Sequence, residues 1–276
     1  MNRRPVPFLE KLVRASAVLT IGTALVIVGY ILLKGIPYLR PSMFSWEYTS
    51  SNVSMLPAIV NTLFMLVLSL AIALPAGIAG SIYLVEYANP KSRIVHLVGL
   101  MVDTLAGIPS IVYGLFGSLF FVRFFGMGLS LLSGSLTLAI MILPTIMKTT
   151  QEALSQVPMS YREGSFGLGA GKLRTITKIV LPAAFPGILS GAILASGRIF
   201  GESAALIFTA GTLAQAAGSL NDSARTMAVH LYALSQEGLY INETYASAAV
   251  LIAMVLLMNG LAAWLAHKTQ ERSNHG

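Results

Sequence analysis

The sequence predicts an all-α, polytopic membrane protein with about six transmembrane helices. Of its 276 residues, 55% are hydrophobic and 11% are charged, whereas a soluble domain carries about 25% charged residues. The apolar residues are gathered into runs long enough for spanning helices, which need about 20 residues each. Runs of this length must be helical, because a membrane span has to satisfy its backbone hydrogen bonds within itself.

Six apolar runs are the predicted spans. Each is apolar nearly all round, unlike the amphipathic helix of a soluble protein. The basic segment ahead of the first run is similar to the start of a signal peptide. However, the run is long and lacks a small-residue cleavage pattern, which favours a retained span. The predicted bounds are Ala15–Leu33, Pro57–Tyr83, Ile94–Phe120, Gly128–Met147, Phe185–Ile207 and Thr244–Ala266.

The placement of the 18 lysines and arginines predicts that both chain termini are cytoplasmic. Most of these residues then lie in inner segments, as the positive-inside rule requires. Two long loops follow from this topology: a cytoplasmic loop at about 149–182 and an outer loop at about 208–243, with a predicted surface helix over Arg225–Leu234. The predicted organisation is a cytoplasmic N-terminus (1–14), a first span with its outer loop (15–56), a transmembrane domain (57–268) and a cytoplasmic tail (269–276).

Several functional classes are excluded by what the sequence lacks. Without cysteine there can be no disulfide, Cys-ligated zinc site or thiol catalysis. The four histidines are scattered and no HExxH spacing occurs, and no basic stretch with interleaved aromatic residues suggests nucleic acid as a partner. A Walker A loop ending at Gly171-Lys172 would need Gly at 166 and Ser or Thr at 173, where the chain has Phe166 and Leu173. We therefore expect no catalytic residue, no metal or cofactor in this chain, and no ATPase of its own.

The cytoplasmic loop carries a pattern typical of a helix, a turn and a second helix. Pro158 suits a first helical turn because its missing N–H is unsatisfied there anyway, and the helix is expected to run to about Phe166. Glycines at 167, 169 and 171 permit a sharp turn before a second helix at about Lys172–Val180. An exposed helix with a hydrophobic side can dock into a partner's groove. The alternative is an ordinary solvated loop whose charges follow the positive-inside rule.

The same loop resembles the EAA signature of ABC-importer permeases. The matching residues are Glu163-Gly164-Ser165, then Gly169, then Ile179, one residue and Leu181-Pro182, with small residues in place of the two alanines. The resemblance implies a type I ABC importer permease architecture, with this loop as the coupling helix that is seated in a cleft of an ATP-binding subunit. The predicted docking residues are Tyr161, Arg162, Glu163, Gly164, Ser165, Gly169 and Lys172.

Candidate pathway residues lie in the third and fifth predicted spans. Arg198 and Glu202 are four residues apart and would share one helical face. A charge inside a span is costly and is a functional hypothesis by default; the alternative is a structural ion pair. In the third span, Gly107, Pro109 and Gly114 interrupt the helix, either to line a cavity or as a kink with close helix packing. The predicted pathway residues are Arg198, Glu202, Ser110 and Tyr113.

The stretches Tyr83–Tyr87, Leu105–Phe116 and Gly197–Ala205 resemble the permeases of phosphate importers. The resemblance extends over about Pro57–Ala266 and implies a bacterial inner-membrane protein that moves inorganic phosphate. Arginine suits this anion because its planar fork forms two parallel charge-assisted bonds. The implied partners are a companion permease, two copies of a subunit that binds ATP and Mg, a periplasmic or lipoprotein phosphate-binding protein, and membrane lipid.

Four points stay open from the sequence alone. The substrate could instead be another oxyanion such as molybdate or sulfate. A secondary, ion-coupled transporter typically shows inverted repeats, and none is evident here. Arg225 in the outer loop is expected to steer the anion or contact the binding protein, or simply to be solvated. Asp103, unusual on an anion pathway, is expected to cap a helix, to pair with a cation or to lie near the cytoplasmic end of its span.

Overall fold

The computed structural model describes residues 7–89 and 91–274, without the side chains of 7–9, 262 and 265–274. Residues 1–6 of the predicted N-terminal segment, with Arg3 and Arg4, and residues 275–276 of the predicted tail lie outside this range. So do the side chains of Lys268 and Arg272, which supported the predicted orientation. Within the described residues every regular element is helical, so the predicted all-α class is confirmed.

Eleven α-helical segments follow one another along the described chain. Three π-helical turns extend them: Tyr83–Tyr87 after α2, Ser118–Phe124 after α4 and Ile176–Val180 between α7 and α8. The α-helices are α1 (Pro7–Gly35), α2 (Leu56–Ile82), α3 (Arg93–Ala106), α4 (Ser110–Gly117), α5 (Leu131–Gln156), α6 (Met159–Gly167), α7 (Lys172–Thr175), α8 (Leu181–Phe200), α9 (Ala204–Thr209), α10 (Met227–Glu237) and α11 (Ile241–Asn274).

Five helices are long and apolar enough to cross a membrane, or six if α3 and α4 together form one broken span. The predicted interruption of the third span is confirmed, because α3 and the helix that begins at Ser110 meet at a bend of 103°. Pro109 explains the break. It has no backbone N–H to continue the helix, and its ring disfavours helical geometry at the residue before it.

The bounds of two other predicted spans need correction. Helix α5 continues to Gln156, beyond the predicted end at Met147. Helices α7 and α8 are continuous through the π-helical turn, so residues 172–200 form one long helix that neither Leu181 nor Pro182 ends. The wider hydrogen-bond register of the π turn lies directly before Pro182 and accommodates its missing N–H. The helix ends at Phe200, and Gly201 is its C-terminal capping residue. The predicted end at Ile207 is therefore wrong.

Helix α5 is the centre of the packed bundle. In its most apolar 18-residue stretch 67% of the residues are buried, against 0% in α1. The main apolar cluster joins α5 to α2, α8 and α9, with Met65, Leu138, Ile142 and Phe200 almost fully buried. Helix α1 packs against α11, where Tyr30 and Tyr245 are in edge-to-face contact with ring centroids 5.9 Å apart. The rest of α1 is therefore open to lipid or to another chain.

Glycines let the broken third span approach its neighbours closely. A Cβ atom at Gly114 would lie 2.7 Å from the backbone Cα of Ala205 on α9. At Gly117 it would lie 2.2 Å from the side-chain oxygen of Thr137 on α5. Small residues at such positions bring helix backbones together in membrane proteins. This agrees with the alternative interpretation of the third span as a kink with close helix packing.

We expect Gly114→Ala to destabilise the bundle by about 1–3 kcal/mol, because the added methyl group meets backbone atoms that cannot rotate away. Thermal unfolding of the detergent-purified protein should show a lower Tm than wild type. Gly99→Ala on α3 is the matched control, since no atom lies within 4 Å of the added methyl group. Equal Tm values for the two variants would contradict the close contact.

Candidate functional site

Helix α6 forms the exposed part of the loop that is predicted to be cytoplasmic. It begins at Met159, with Pro158 as the residue that precedes the helix rather than a member of its first turn. After Gly167 the chain turns back through Gly169, whose φ of +80° is in the left-handed region that glycine adopts without strain. The N–H groups of Gly169 and Ala170 donate to the carbonyl oxygens of Phe166 and Ser165, at 2.9 and 3.1 Å. The predicted turn at Gly169 is confirmed.

The outer side of α6 is apolar and exposed. Tyr161 is 53% exposed and Leu168, just after the helix, is 91% exposed. Beside them is an open recess of about 580 Å³ that is lined in part by Tyr161, Gly164, Leu168 and Gly169, with Arg174 and Lys178 at its basic edge. Such a surface fits an apolar groove with acidic groups on a partner protein. Of the seven predicted docking residues, Tyr161, Glu163, Gly164, Gly169 and Lys172 are exposed.

Arg162, another predicted docking residue, faces the interior of this chain. Its Nη2 and Nε atoms donate to Oε1 of Glu86, at 2.7 and 3.2 Å. Nη1 also donates to the carbonyl oxygen of Val157 at 2.7 Å, and Nη2 to that of Leu154 at 3.0 Å. The side chains of Arg162 and Glu86 are 11% and 9% exposed. The guanidinium therefore joins α6 to the ends of α2 and α5.

Two further predicted docking residues make internal contacts. Ser165 is buried, and its hydroxyl shares a 2.8 Å hydrogen bond with the hydroxyl of Thr175 on α7. Lys172 is exposed, but its ammonium nitrogen lies 4.7 Å from the ring centroid of Tyr87. From the sequence alone, the segment Tyr83–Tyr87 is notable only for its resemblance to the permeases of phosphate importers. Glu86 is not recognisable there as the partner of Arg162. A carboxylate just after an apolar run was the available signal.

Arg198 projects from the last turn of α8 into a recess between helices. The recess has a volume of about 460 Å³ and is lined by Thr145 of α5, by Ile193, Leu194, Gly197 and Arg198 of α8, and by Asn259 of α11. Arg198 forms no hydrogen bond or ion pair with any residue that the structure describes. Its five N–H donors are thus free to bind an anion.

The predicted sharing of one helical face by Arg198 and Glu202 is wrong. Helix α8 ends at Phe200, so the four-residue spacing no longer places the two side chains together. Glu202 is buried, and its Oε1 atom accepts a hydrogen bond of 3.0 Å from the N–H of Ala205 at the start of α9. A carboxylate in this position satisfies a free N–H group of a helix N-terminus. Glu202 therefore has a structural role beside the recess.

The other two predicted pathway residues lie at the break in the third span. Ser110 is the first residue of α4. Tyr113 is buried, and its hydroxyl donates a 2.8 Å hydrogen bond to the carbonyl oxygen of Leu105 in the last turn of α3. The hydroxyl proton of Tyr113 is thus engaged in holding the bend.

Asp103 pairs with a cation, one of its three predicted roles. Its Oδ1 atom lies 2.6 Å from the ammonium nitrogen of Lys148 on α5, and both side chains are about half exposed. Lys148 was not recognised as its partner in the sequence because the two residues are far apart along the chain. No group of three or more histidine, aspartate or glutamate residues among the described side chains could hold a metal ion.

In the loop that is predicted to lie outside, Arg225 is half-buried and is held by contacts within the chain. Its Nε atom donates to the carbonyl oxygen of Thr212 at 2.7 Å, and its guanidinium lies 5.5 Å from the ring centroid of Tyr48. The predicted surface helix corresponds to α10, which begins after Thr226. On α10, His230 is fully buried, and its Nδ1 atom is 3.4 Å from Nη1 of Arg225.

Sequence comparisons place the chain among transport permeases. Residues 73–271 match the family described as "Binding-protein-dependent transport system inner membrane component". The chain is 33% identical over 268 residues to the "Probable ABC transporter permease protein YqgI" of Bacillus subtilis (strain 168), a match that covers 88% of this chain and 89% of that protein. It is also 33% identical over 231 residues to the "Phosphate transport system permease protein PstA 2" of Mycobacterium bovis, covering 80% and 76% of the two chains.

A solved structure has the same fold. It is a chain of a bacterial ABC transporter involved in the import of the acidic polysaccharide alginate, with a TM-score of 0.66 and 16% sequence identity. The likeness covers 94% of this chain and 96% of that one. At this low identity the likeness shows the fold alone, and that fold is the predicted ABC importer permease architecture.

We expect acidification to loosen the segment around His230. Burial, with a smaller contribution from the positive charge of Arg225, lowers the pKa of His230 to about 3. When the segment opens, the pKa returns to about 6.5. Between these values the open form binds a proton that the folded form does not, so stability falls as the pH falls. The loss at pH 5 should be about 2 kcal/mol, measured as faster amide hydrogen exchange in α10 than at pH 7.5, after correction for intrinsic rates.

His230→Leu is the control for this pH effect. The variant keeps an apolar side chain of similar length but has no group that titrates in this window. Its α10 amides should show no loss of protection between pH 7.5 and pH 5. An equal pH dependence in wild type and His230→Leu would assign the effect to another group.

Proposed function

Because the chain belongs to the inner-membrane components of binding-protein-dependent transport systems, and is an ABC importer permease, we propose that it carries inorganic phosphate into the bacterial cell. In this proposal the chain forms the translocation path together with a companion permease. A separate subunit, present in two copies, binds and hydrolyses ATP with Mg²⁺. Phosphate arrives on a periplasmic or lipoprotein binding protein at the face that carries the outer loop, and both termini of the chain are cytoplasmic.

The observation that carries the proposal is the free guanidinium of Arg198 in a recess between three membrane helices. Placing a charged side chain within a membrane span costs free energy. Such side chains therefore occur mainly where they face a charged partner or a water-filled path. Arg198 has no partner among the described residues, so a passing anion supplies the missing charge. The planar fork of arginine matches the geometry of two phosphate oxygens.

Relatives support phosphate over other anions. The permease of Mycobacterium bovis that is named for phosphate transport matches four fifths of this chain. Nothing in the recess distinguishes phosphate from another tetrahedral oxyanion by shape. The choice of phosphate therefore rests on this relationship, and the experiment below includes the competing anions.

Coupling to ATP is proposed to occur through α6. Its exposed apolar residues and the glycine turn at Gly169 would dock into a cleft of the ATP-binding subunit, in the helix-in-groove mode. ATP binding would close the two ATP-binding subunits, move α6 and favour the outward-open state of the pore, and hydrolysis would restore the inward-open state. Energetically, this is a two-state equilibrium that ligands bias from both sides of the membrane.

We expect Arg198→Gln to reduce phosphate uptake about 10- to 100-fold, since a charge-assisted hydrogen bond contributes about 1.5–3 kcal/mol. Arg198→Lys should retain part of the uptake, because it keeps the charge but lacks the planar fork. Uptake of labelled phosphate is measured in vesicles that contain the complete transport complex. Arg123→Gln is the control, because Arg123 is an exposed arginine outside the recess.

The same assay separates the alternative functions. Uptake of sulfate or molybdate without phosphate would overturn the substrate and leave the importer intact. Uptake by this chain without an ATP-binding subunit would indicate a secondary transporter and overturn the importer mechanism. Wild-type uptake in Arg198→Gln would remove Arg198 from the pathway.

We expect Gly169→Ala to weaken the association of the ATP-binding subunit about tenfold. A side chain at the left-handed φ of Gly169 costs roughly 1–2 kcal/mol, which distorts the turn that presents α6, and 1.4 kcal/mol corresponds to a factor of ten in affinity. Co-purification of the subunit at increasing dilution measures the effect. Gly167→Ala is the control, since it has open space and no left-handed backbone. Equal recovery from the two variants would exclude a role of the turn in docking.

A further inference from the structure

The buried ion pair between Arg162 and Glu86 connects the exposed helix α6 to the membrane bundle. Ion pairs at a protein surface are screened by water and contribute little, whereas this one is almost entirely enclosed. The guanidinium also binds the carbonyl oxygens of Leu154 and Val157 at the end of α5. Those carbonyls lie where a helix leaves its last acceptors without partners. Arg162 is therefore fixed to two bundle helices at once.

The position of Glu86 depends on the π-helical turn at Tyr83–Tyr87. This turn is closed by the N–H of Ala88, which donates to the carbonyl oxygen of Tyr83 at 2.9 Å. Its extra residue changes the direction of the side chains relative to α2, and such turns occur often at functional sites. Tyr87, the next residue, is covered by the ammonium group of Lys172. Two adjacent residues of this turn thus make contacts: Glu86 with Arg162 on α6, and Tyr87 with Lys172, the first residue of α7.

An apolar cluster beneath the ion pair makes this connection rigid. Leu154, Val157 and Val180 are buried there, with Ile82 and Val85 packed against them. The cluster includes residues from the end of α2, the end of α5 and the start of α8. The two bundle helices that Arg162 binds are therefore packed against each other, and close-packed interiors transmit strain.

From the end of α2, a hydrogen bond continues to the recess of Arg198. The hydroxyl of Ser81 donates to the carbonyl oxygen of Met147 on α5 at 3.0 Å. Two residues earlier on α5, Thr145 lines the recess that contains Arg198. A continuous series of contacts therefore joins the surface helix to the candidate anion site.

We propose that Arg162 and Glu86 form the transmission link of this permease: movement of α6 is carried through their ion pair to α2, and through α2 and α5 to the recess of Arg198. Arg162 is thus a positioning residue that acts through Glu86, and it is not part of the surface that binds the ATP-binding subunit. The inference rests on the proposed function, because it takes α6 to move with that subunit.

The first test separates ATP hydrolysis from transport in the complete complex. Arg162→Lys keeps the charge but cannot reach Glu86 and both carbonyl oxygens together, and Glu86→Gln keeps an acceptor without the charge. We expect both variants to assemble and to hydrolyse ATP, while phosphate uptake per ATP hydrolysed falls about tenfold, within the 5- to 150-fold range of allosteric couplings. The controls Arg93→Lys and Glu152→Gln are exposed and should leave the ratio unchanged. A ratio equal to wild type in Arg162→Lys would overturn the proposal.

The second test does not depend on the substrate. The chain has no cysteine, so Asn89→Cys and Gly167→Cys place two spin labels specifically at the end of α2 and at the end of α6. We expect the distance between the labels to stay constant when ATP is added, and to change with ATP once Arg162→Lys is introduced. A distance that changes with ATP in the background with Arg162 intact would overturn the link. Failure of phosphate uptake in wild type would overturn the proposed substrate and leave this measurement valid.

Discussion

The structure depends on one constraint: inside a bilayer, polar groups must find their partners within the protein, because no water is present to bind them. Every interruption of a helix therefore needs a compensating side chain. At the break in the third span the hydroxyl of Tyr113 binds a carbonyl group of the last turn of α3. At the break after α8, the carboxylate of Glu202 binds an N–H group at the start of α9. The second of these breaks lies within four residues of Arg198 in the chain.

The same constraint separates the charges that have partners within the chain from one that has none among the described residues. Glu202, Arg162 and Glu86 are enclosed, and each is bound by partners within the chain. Arg198 lies in a recess at the same bundle and has no such partner among the described residues. A mobile anion can complete its charge and can then leave, whereas a fixed carboxylate would neutralise it permanently. In the proposed function, the unsatisfied arginine therefore belongs to the transport path.

Local sequence was informative where a local cause decides the structure. Apolar runs located the spans, and Gly169 was correctly assigned to a turn because its left-handed backbone needs no distant partner. The continuity of residues 172–200 was missed, because a proline after a glycine-rich stretch normally marks a boundary. The π-helical turn that accommodates Pro182 has no distinct sequence pattern. The end of α8 at Phe200 was missed for a similar reason, since Gly201 is tolerated within many membrane helices.

The sequence by itself determined the all-α membrane class and the permease family, because these follow from hydropathy and from one short spaced motif. It also identified Arg198, since a charge in an apolar run is visible without coordinates. Only the tertiary structure decided which charges meet: Arg162 with Glu86, Lys148 with Asp103, and Arg198 with no described residue. The reason is physical. Partners in a bundle are selected by helix packing between distant parts of the chain, and the spacing of residues along one helix does not encode that packing.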